Sequence, residues 1–232
     1  MIIAPLPEQH LTLAKLASTG HLRVHFSQFG EDAVLWTYLQ AKKDGFYVDV
    51  GCHHPLKYSN TALLHIFNKW NGINIDVDQR SIDQFERLRP ADVNICTAVG
   101  RQAGTLEVTI FEDGAINTFD KKMAEDPRWE SMPRQKKMVN VQPLHSLLNL
   151  HLPPDRKIDL LNVDIEGLDL DALQSNDWDK FRPHYISVEV HRFNLNEPTT
   201  SQTFNYLRSN GYALVSHAFA TSLYVDTKHA NR

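Results

Sequence analysis

Gly45-Phe46-Tyr47-Val48-Asp49-Val50-Gly51-Cys52-His53-His54-Pro55 runs from apolar residues into an acid, passes one residue, and turns at a glycine. The apolar part is short, aromatic and β-branched, so it reads as a buried strand rather than a helix. Asp49 then sits at the strand tip. Gly51, lacking a Cβ, lets the backbone turn close to a ligand. On its own the stretch describes a structural strand end equally well, and its meaning depends on what the rest of the chain brings beside it.

The same punctuation recurs. Gly72-Ile73-Asn74-Ile75-Asp76-Val77-Asp78 is a second strand ending in acids, one strand–helix–strand unit later. Dinucleotide folds set a second-strand acid of this kind against ribose hydroxyls. Ile158 to Gly167 is another apolar strand closing on Asp164-Ile165-Glu166-Gly167, and His184-Tyr185-Ile186-Ser187-Val188-Glu189-Val190-His191 follows it. Val93 to Gly100 reads as a third strand, Gly104 to Phe111 and Val139 to Gln142 as further strands. Helical stretches alternate with them near 31–39, 62–67, 80–88, 144–150, 168–174 and 200–209. This alternation predicts an α/β domain with a mainly parallel sheet and helices on both faces. Residues 212–217 and 221–226, joined by Ala218-Phe219-Ala220, predict an antiparallel hairpin at the sheet edge.

Outside that frame, Leu11, Leu13, Ala14, Leu16 and Ala17 predict a helix over 8–19. It belongs to an N-terminal helical extension (1–24) ahead of a domain at 25–232. The polar stretch 112–138, with Gly114, Pro127 and Pro133, reads as an insertion or lid. Plainer readings accompany the motifs. Gln28, Glu31 and Asp32 suit capping and helix-dipole roles. Ser59 or Asn60 suits a helix N-cap, whose free N–H groups would face a polar ligand near Gly51.

A chain of 232 residues, 42% hydrophobic and 22% charged, suits one large soluble domain. Its net charge of -4 argues against a nucleic-acid surface. Cys52 and Cys96 make no metal or redox spacing, which suits a reduced, cytoplasmic setting. Met1 to Pro7 lacks the marks of a signal peptide, and no apolar run is long enough for a membrane span. The edge strands and the insertion leave room for a homodimer.

A nicotinamide-dependent oxidoreductase needs several glycines where this chain has Cys52-His53-His54-Pro55. No P-loop is present either. Acids at three strand ends suit S-adenosylmethionine better, because that donor has a sulfonium, an amino acid end and a ribose diol but no phosphate. A non-catalytic module binding the same donor is the other alternative.

Six motifs then agree in order. Ser27-Gln28-Phe29-Gly30-Glu31-Asp32, Gly45 to Gly51, His53-His54-Pro55, Ser59-Asn60-Thr61, Gly72 to Asp76 and Asp164 to Gly167 together resemble FkbM-type methyltransferases over roughly residues 25–226. The resemblance implies a class I methyltransferase fold, Rossmann-like with a seven-stranded sheet, and S-adenosylmethionine as donor. It implies O-methylation of a sugar, a nucleotide-sugar or surface glycan, or a related natural product, with a place in polysaccharide biosynthesis. Asp49 and Gly51 are then expected at the amino acid and sulfonium end, and Asp76 at the ribose. Thr97 and Ala98 are expected beside adenine, with Gln28, Glu31, Ser59, Asn60 and Thr61 completing the pocket. The chain departs from the pattern at His145 and Asn162.

For proton removal, Asp164, Glu189 and His191 lie at the ends of neighbouring predicted strands. Glu189 and His191 are two apart and share a face. They suit an open Mg²⁺ or Mn²⁺ site. They suit equally a metal-free arrangement in which Asp164 orients substrate and His191 is the base. His54 is a second base candidate. Glu166 reads alternatively as a cap for the next helix.

Overall fold

A computed structural model describes residues 24–228. The predicted 8–19 helix, and with it the extension apart from Val24, lies outside the described residues. The chain runs through α1 (Glu31–Leu39), β1 (Phe46–Val50), α2 (Ala62–Asn68), β2 (Asn71–Asp76), α3 (Gln79–Leu88) and β3 (Val93–Cys96). Then come β4 (Ala98–Val99), β5 (Gly104–Phe111), a 3-10 turn at Gly114–Ile116, α4 (Lys121–Ala124) and β6 (Arg134–Gln142). The last part is α5 (Leu144–His151), β7 (Leu160–Val163), α6 (Asp169–Gln174), β8 (Tyr185–Glu189), α7 (Gln202–Ser209), β9 (Tyr212–Ala218) and β10 (Thr221–Asp226).

Seven strands form the main sheet in the order β3-β2-β1-β7-β8-β10-β9. β3, β2, β1, β7 and β8 pair in parallel; β10 runs antiparallel to both β8 and β9. This is the expected mainly parallel sheet with an antiparallel hairpin at one edge. β1 is buried throughout, and its side chains alternate between two cores. Phe46, Val48 and Val50 pack with Leu144, Leu147, Ala172, Leu173 and Leu207 of α5, α6 and α7. Tyr47 packs on the other face with Leu35, Leu39 and Leu64 of α1 and α2. A strand apolar on both sides needs helices on both sides, and the chain supplies them.

Two strand boundaries differ from the sequence reading. The third strand breaks at Thr97, and β4 joins a second sheet of order β4-β6-β5. β6 starts at Arg134, not Val139, and pairs with β5 residue by residue from Phe111↔Arg134 to Gly104↔Val141. Arg134 to Met138 are exposed, so backbone pairing extends this arm where no apolar alternation marks it.

The chain leaves β1 towards β2 on one side, while β7 adds to its other side, so a crevice opens at the carboxyl ends of β1 and β7. Gly51 shapes it. Its φ is +81°, and a Cβ there would lie 1.7 Å from the Asp164 carbonyl oxygen. The glycine is needed because the exits of β1 and β7 touch, in addition to any ligand approach.

A buried knot holds the loop that follows. Arg89, 1% exposed, donates to Tyr47 Oη (2.9 Å), Thr61 Oγ1 (2.9 Å), Ser59 Oγ (3.2 Å) and the Pro55 carbonyl. Ser59 and Thr61 are spent here, and α2 starts after Thr61 with no side-chain cap, so the expected cap at Ser59 or Asn60 does not form. Among the described residues, no helix is long and apolar enough to cross a membrane.

Candidate active site

A cavity open to solvent fills the crevice. Gln28, Glu31, Gly51, Asn60, Asp76, Thr97, Ala98, Asp164 and Glu189 all line it. The structure therefore brings together nine of the expected residues from seven separate segments. Phe29, His53, Tyr58, Asn117, Phe119, Glu166 and Thr221 line it as well.

Asp76 is fixed at the tip of β2. Its Oδ2 accepts the His53 N–H (2.9 Å) and its Oδ1 accepts the Asp78 N–H (2.8 Å). Burial pushes its pKa up to about 6 against those two bonds. Thr97 N–H donates to the Asp76 carbonyl (2.9 Å), which sets Thr97 and Ala98 on the neighbouring rim. Asn60 Nδ2 donates to Asn162 Oδ1 (3.3 Å), leaving Asn60 Oδ1 buried with no partner beside the cavity. Such an oxygen needs a donor, since a buried unpaired acceptor costs about 1–3 kcal/mol. On the opposite wall, Ser27 Oγ donates to Asp32 Oδ1 (2.6 Å) while Phe26 N–H donates to Asp32 Oδ2 (2.6 Å). Glu31 Oε2 accepts the Phe29 N–H (2.9 Å). Ser27 Oγ in turn accepts the N–H groups of Gly30 (3.1 Å) and Asp32 (3.2 Å), and this Ser27–Asp32 box places Gln28 and Phe29 at the cavity.

Asp49 and its neighbours Ser59 and Thr61 sit beneath the cavity and do not line it. Asp49 is 2% exposed; Thr61 Oγ1 donates to its Oδ2 (2.8 Å) and Asn162 Nδ2 to its Oδ1 (2.9 Å). Unlike Asp76, whose two oxygens also accept hydrogen bonds, Asp49 does not reach the cavity surface, so it stands in a supporting place rather than the expected donor-contacting one. Burial raises its pKa, and the two hydrogen bonds act against that rise. Asn162, which departs from the family pattern, is its partner.

At the far end four acids, Asp164, Glu166, Asp169 and Glu189, crowd together. Asp164 is held well above the ordinary carboxylate range, first by burial and next by the charge of Glu189. Asp169 accepts the N–H groups of Ile165 (3.0 Å) and Gly167 (3.3 Å), so Asp169 rather than Glu166 closes this turn. Its pKa rises to about 7, mainly through burial. Glu166, at φ 45°, is turned towards the cavity. His191 Nε2 lies 3.3 Å from Glu166 Oε2 and 3.2 Å from Glu189 Oε2. Ligand atoms of Glu166, Glu189 and His191 all fall within 4.8 Å of one another. The expected trio thus changes one member: Glu166 stands where Asp164 was expected, because Asp164 lies deeper against Glu189. Hydrogen bonds to the two glutamates push His191 up to about 10. This direction favours the protonated ring, and the exposed His191 stands beside the cavity without lining it.

His54 does not line the cavity. It faces a second hollow with Lys57, Arg80 and Asp113, and its Nδ1 accepts the N–H groups of Leu56 and Lys57, both at 2.9 Å. It braces the turn after β1, which accounts for its place before Pro55. Sequence reasoning missed Phe29, His53 and Tyr58 as cavity residues; only their closeness to the motifs marked them.

A mainly parallel sheet ordered 3-2-1-4-5-7-6 by its own strands, with strand 7 antiparallel and acids at consecutive strand tips around one crevice, is the arrangement of a class I, S-adenosylmethionine-dependent methyltransferase. The model of the methyltransferase FkbM domain matches residues 49–214, most of the chain, and the chain belongs to that family. Among solved structures, the small RNA methyltransferase HEN1 aligns over 91% of this chain at 12% identity and a TM-score of 0.39; this chain spans 28% of that one. A likeness of that size carries no weight for fold detail or substrate. No curated protein matches the chain.

Proposed function

We propose that the protein transfers the methyl group of S-adenosylmethionine to a hydroxyl oxygen of a sugar, in a glycan, a nucleotide-sugar or a related natural product. The observation that carries this reading is the division of the cavity. One end offers Asp76, Asn60 and the Thr97–Ala98 rim; the other offers Glu166 and Glu189, with the exposed His191 beside them outside the lining. The first set fits the donor. Asp76, rigid and acceptor-rich, suits the ribose diol, and the unpaired Asn60 Oδ1 suits the donor's ammonium group. The acids deeper in the cavity complement its sulfonium charge.

At the second end the acceptor oxygen attacks the methyl carbon. The O–C bond forms as the C–S bond breaks, and the sulfonium leaves as the neutral thioether of S-adenosylhomocysteine. The hydroxyl proton passes to a carboxylate of Glu166 or Glu189, since His191 already holds one. Holding the two reactants in line supplies much of the rate. Once His191 releases its proton, two carboxylates and a neutral imidazole also form a donor set that fits Mg²⁺ or Mn²⁺. Glu166, Glu189 and His191 would hold the ion, which would supply Lewis acidity towards the hydroxyl. Transfer of labelled methyl from the donor to a panel of methyl glycosides, with and without chelator, tests the reading. Labelled O-methyl glycoside is expected. Labelled product on nitrogen or sulfur acceptors alone would overturn it.

A further inference from the structure

Phe29 and Phe219 come from elements far apart in the chain, yet their rings stack with centroids 3.7 Å apart and planes 27° from parallel. Both are open to solvent, at 51% and 70% exposure. Phenylalanine in contact with water at a cavity mouth is an unspent apolar surface, and such surfaces mark binding sites. Phe29 lines the cavity and is fixed by the Ser27–Asp32 box. Phe219 occupies the turn between β9 and β10, where Ala218 pairs with Thr221 and only Phe219 and Ala220 remain between them. The turn is tied to the acidic end of the cavity: Val190 N–H donates to the Ala220 carbonyl (2.7 Å), and Thr221 pairs with Glu189.

The backbone makes the choice of residue more telling. Phe219 has φ 57°, in the left-handed region. Two-residue hairpin turns with positive φ favour glycine or asparagine, and a bulky residue there is strained. The chain accepts that strain to keep an exposed ring at this corner. Strain held at an exposed position beside a site is a signature of function rather than of folding.

We infer that Phe29, backed by Phe219, is the acceptor platform: the face of Phe29 not covered by Phe219 takes the apolar C–H face of a pyranose ring whose hydroxyl points towards Glu166 and Glu189. The inference rests on the proposed sugar acceptor and adds how the ring is held. An aromatic face paired with a sugar's C–H face buries apolar area without competing for the ring's hydroxyls, which remain free for the acids. Phe219 takes no part in the donor end, so the two ends can be tested apart.

The test uses the full chain saturated with S-adenosylhomocysteine. Saturation-transfer NMR is recorded with methyl glycosides of glucose, galactose, mannose, fucose and rhamnose. Wild type should give a signal concentrated on the ring protons of one face of at least one glycoside. Phe219→Gly should melt at the same or a higher temperature, since glycine relieves the turn. The same variant should bind that glycoside about two- to tenfold more weakly, the range expected when the ring that backs Phe29 is lost. Phe219→Trp should retain binding. Absence of signal from all five glycosides in wild type, or equal binding in Phe219→Gly, overturns the platform. Calorimetry with S-adenosylhomocysteine reports the donor end separately: its failure sinks the donor reading, whereas the glycoside signal alone decides the platform.

Discussion

Asn162 Nδ2 donates a 2.9 Å hydrogen bond to Asp49 Oδ1, and the two residues face each other in register across β1 and β7. Thr61 takes the other carboxylate oxygen. The acid at the tip of β1 therefore ties three segments together beneath the donor cavity. Asn162→Leu removes the bond and leaves a buried carboxylate oxygen unpaired. It should lower stability by about 2–3 kcal/mol in urea unfolding. An unchanged midpoint would mean that Asp49 finds another partner.

Gly51→Ala places a methyl group within 1.7 Å of the Asp164 carbonyl oxygen, at a positive φ. Neither backbone has room to yield without separating β1 from β7 at the crevice. The expected loss is more than about 3 kcal/mol. A thermal melt matching wild type would show that the strand exits adapt.

Asp76 predicts a pH dependence. Its folded pKa, about 6, exceeds the ordinary aspartate value of 3.8, chiefly through burial. Between those two values the folded state binds more protons than the unfolded state, so stability is lost as pH rises from 3.8 through 6. Asp76→Asn removes this dependence. The variant, compared with wild type, should therefore be more stable at pH 7 than at pH 4 by about 2 kcal/mol. The difference between the two pH values is the quantity to measure, because loss of an acceptor affects both alike. A flat difference across pH would contradict a buried, ionising Asp76.

The choice of Glu166 over Asp164 for a cation site is open to direct measurement. Electron paramagnetic resonance titration with Mn²⁺ should give binding that weakens about tenfold or more in Glu166→Ala and in Glu189→Ala. Asp164→Asn should change it little. The reverse pattern would restore Asp164 as the ligand, and no Mn²⁺ binding in wild type would remove the ion from the account.

The fold was legible because the strands are buried on both faces and end in glycine or acid. Phe46 to Gly51 and Ile158 to Gly167 declare their boundaries in a few residues. β6 was half hidden, since Arg134 to Lys137 gain their place from backbone pairing to β5 and bury nothing. The donor wall was legible for a related reason: Asp76, Asn60 and Thr97 lie where a strand or loop ends, and one crevice collects those ends. Which acids touch the ligand was not. Asp49 looks the same in sequence as Asp76, and only the packing of Thr61 and Asn162 over it shows that it lies beneath the cavity rather than in its wall. Glu166 was undervalued because its exposure to the cavity depends on a left-handed backbone that no neighbouring residue type announces.

The central claim is that the Asp76–Asn60 end of the cavity holds the methyl donor. Isothermal calorimetry of S-adenosylhomocysteine with wild type and Asp76→Ala tests it most directly, alongside a melt showing that both are folded. The account predicts one-to-one binding to wild type, weakened about ten- to a hundredfold in the variant by loss of a charged hydrogen-bond acceptor. Folded wild-type protein that takes up no S-adenosylhomocysteine, or a variant that binds it as tightly, would contradict it.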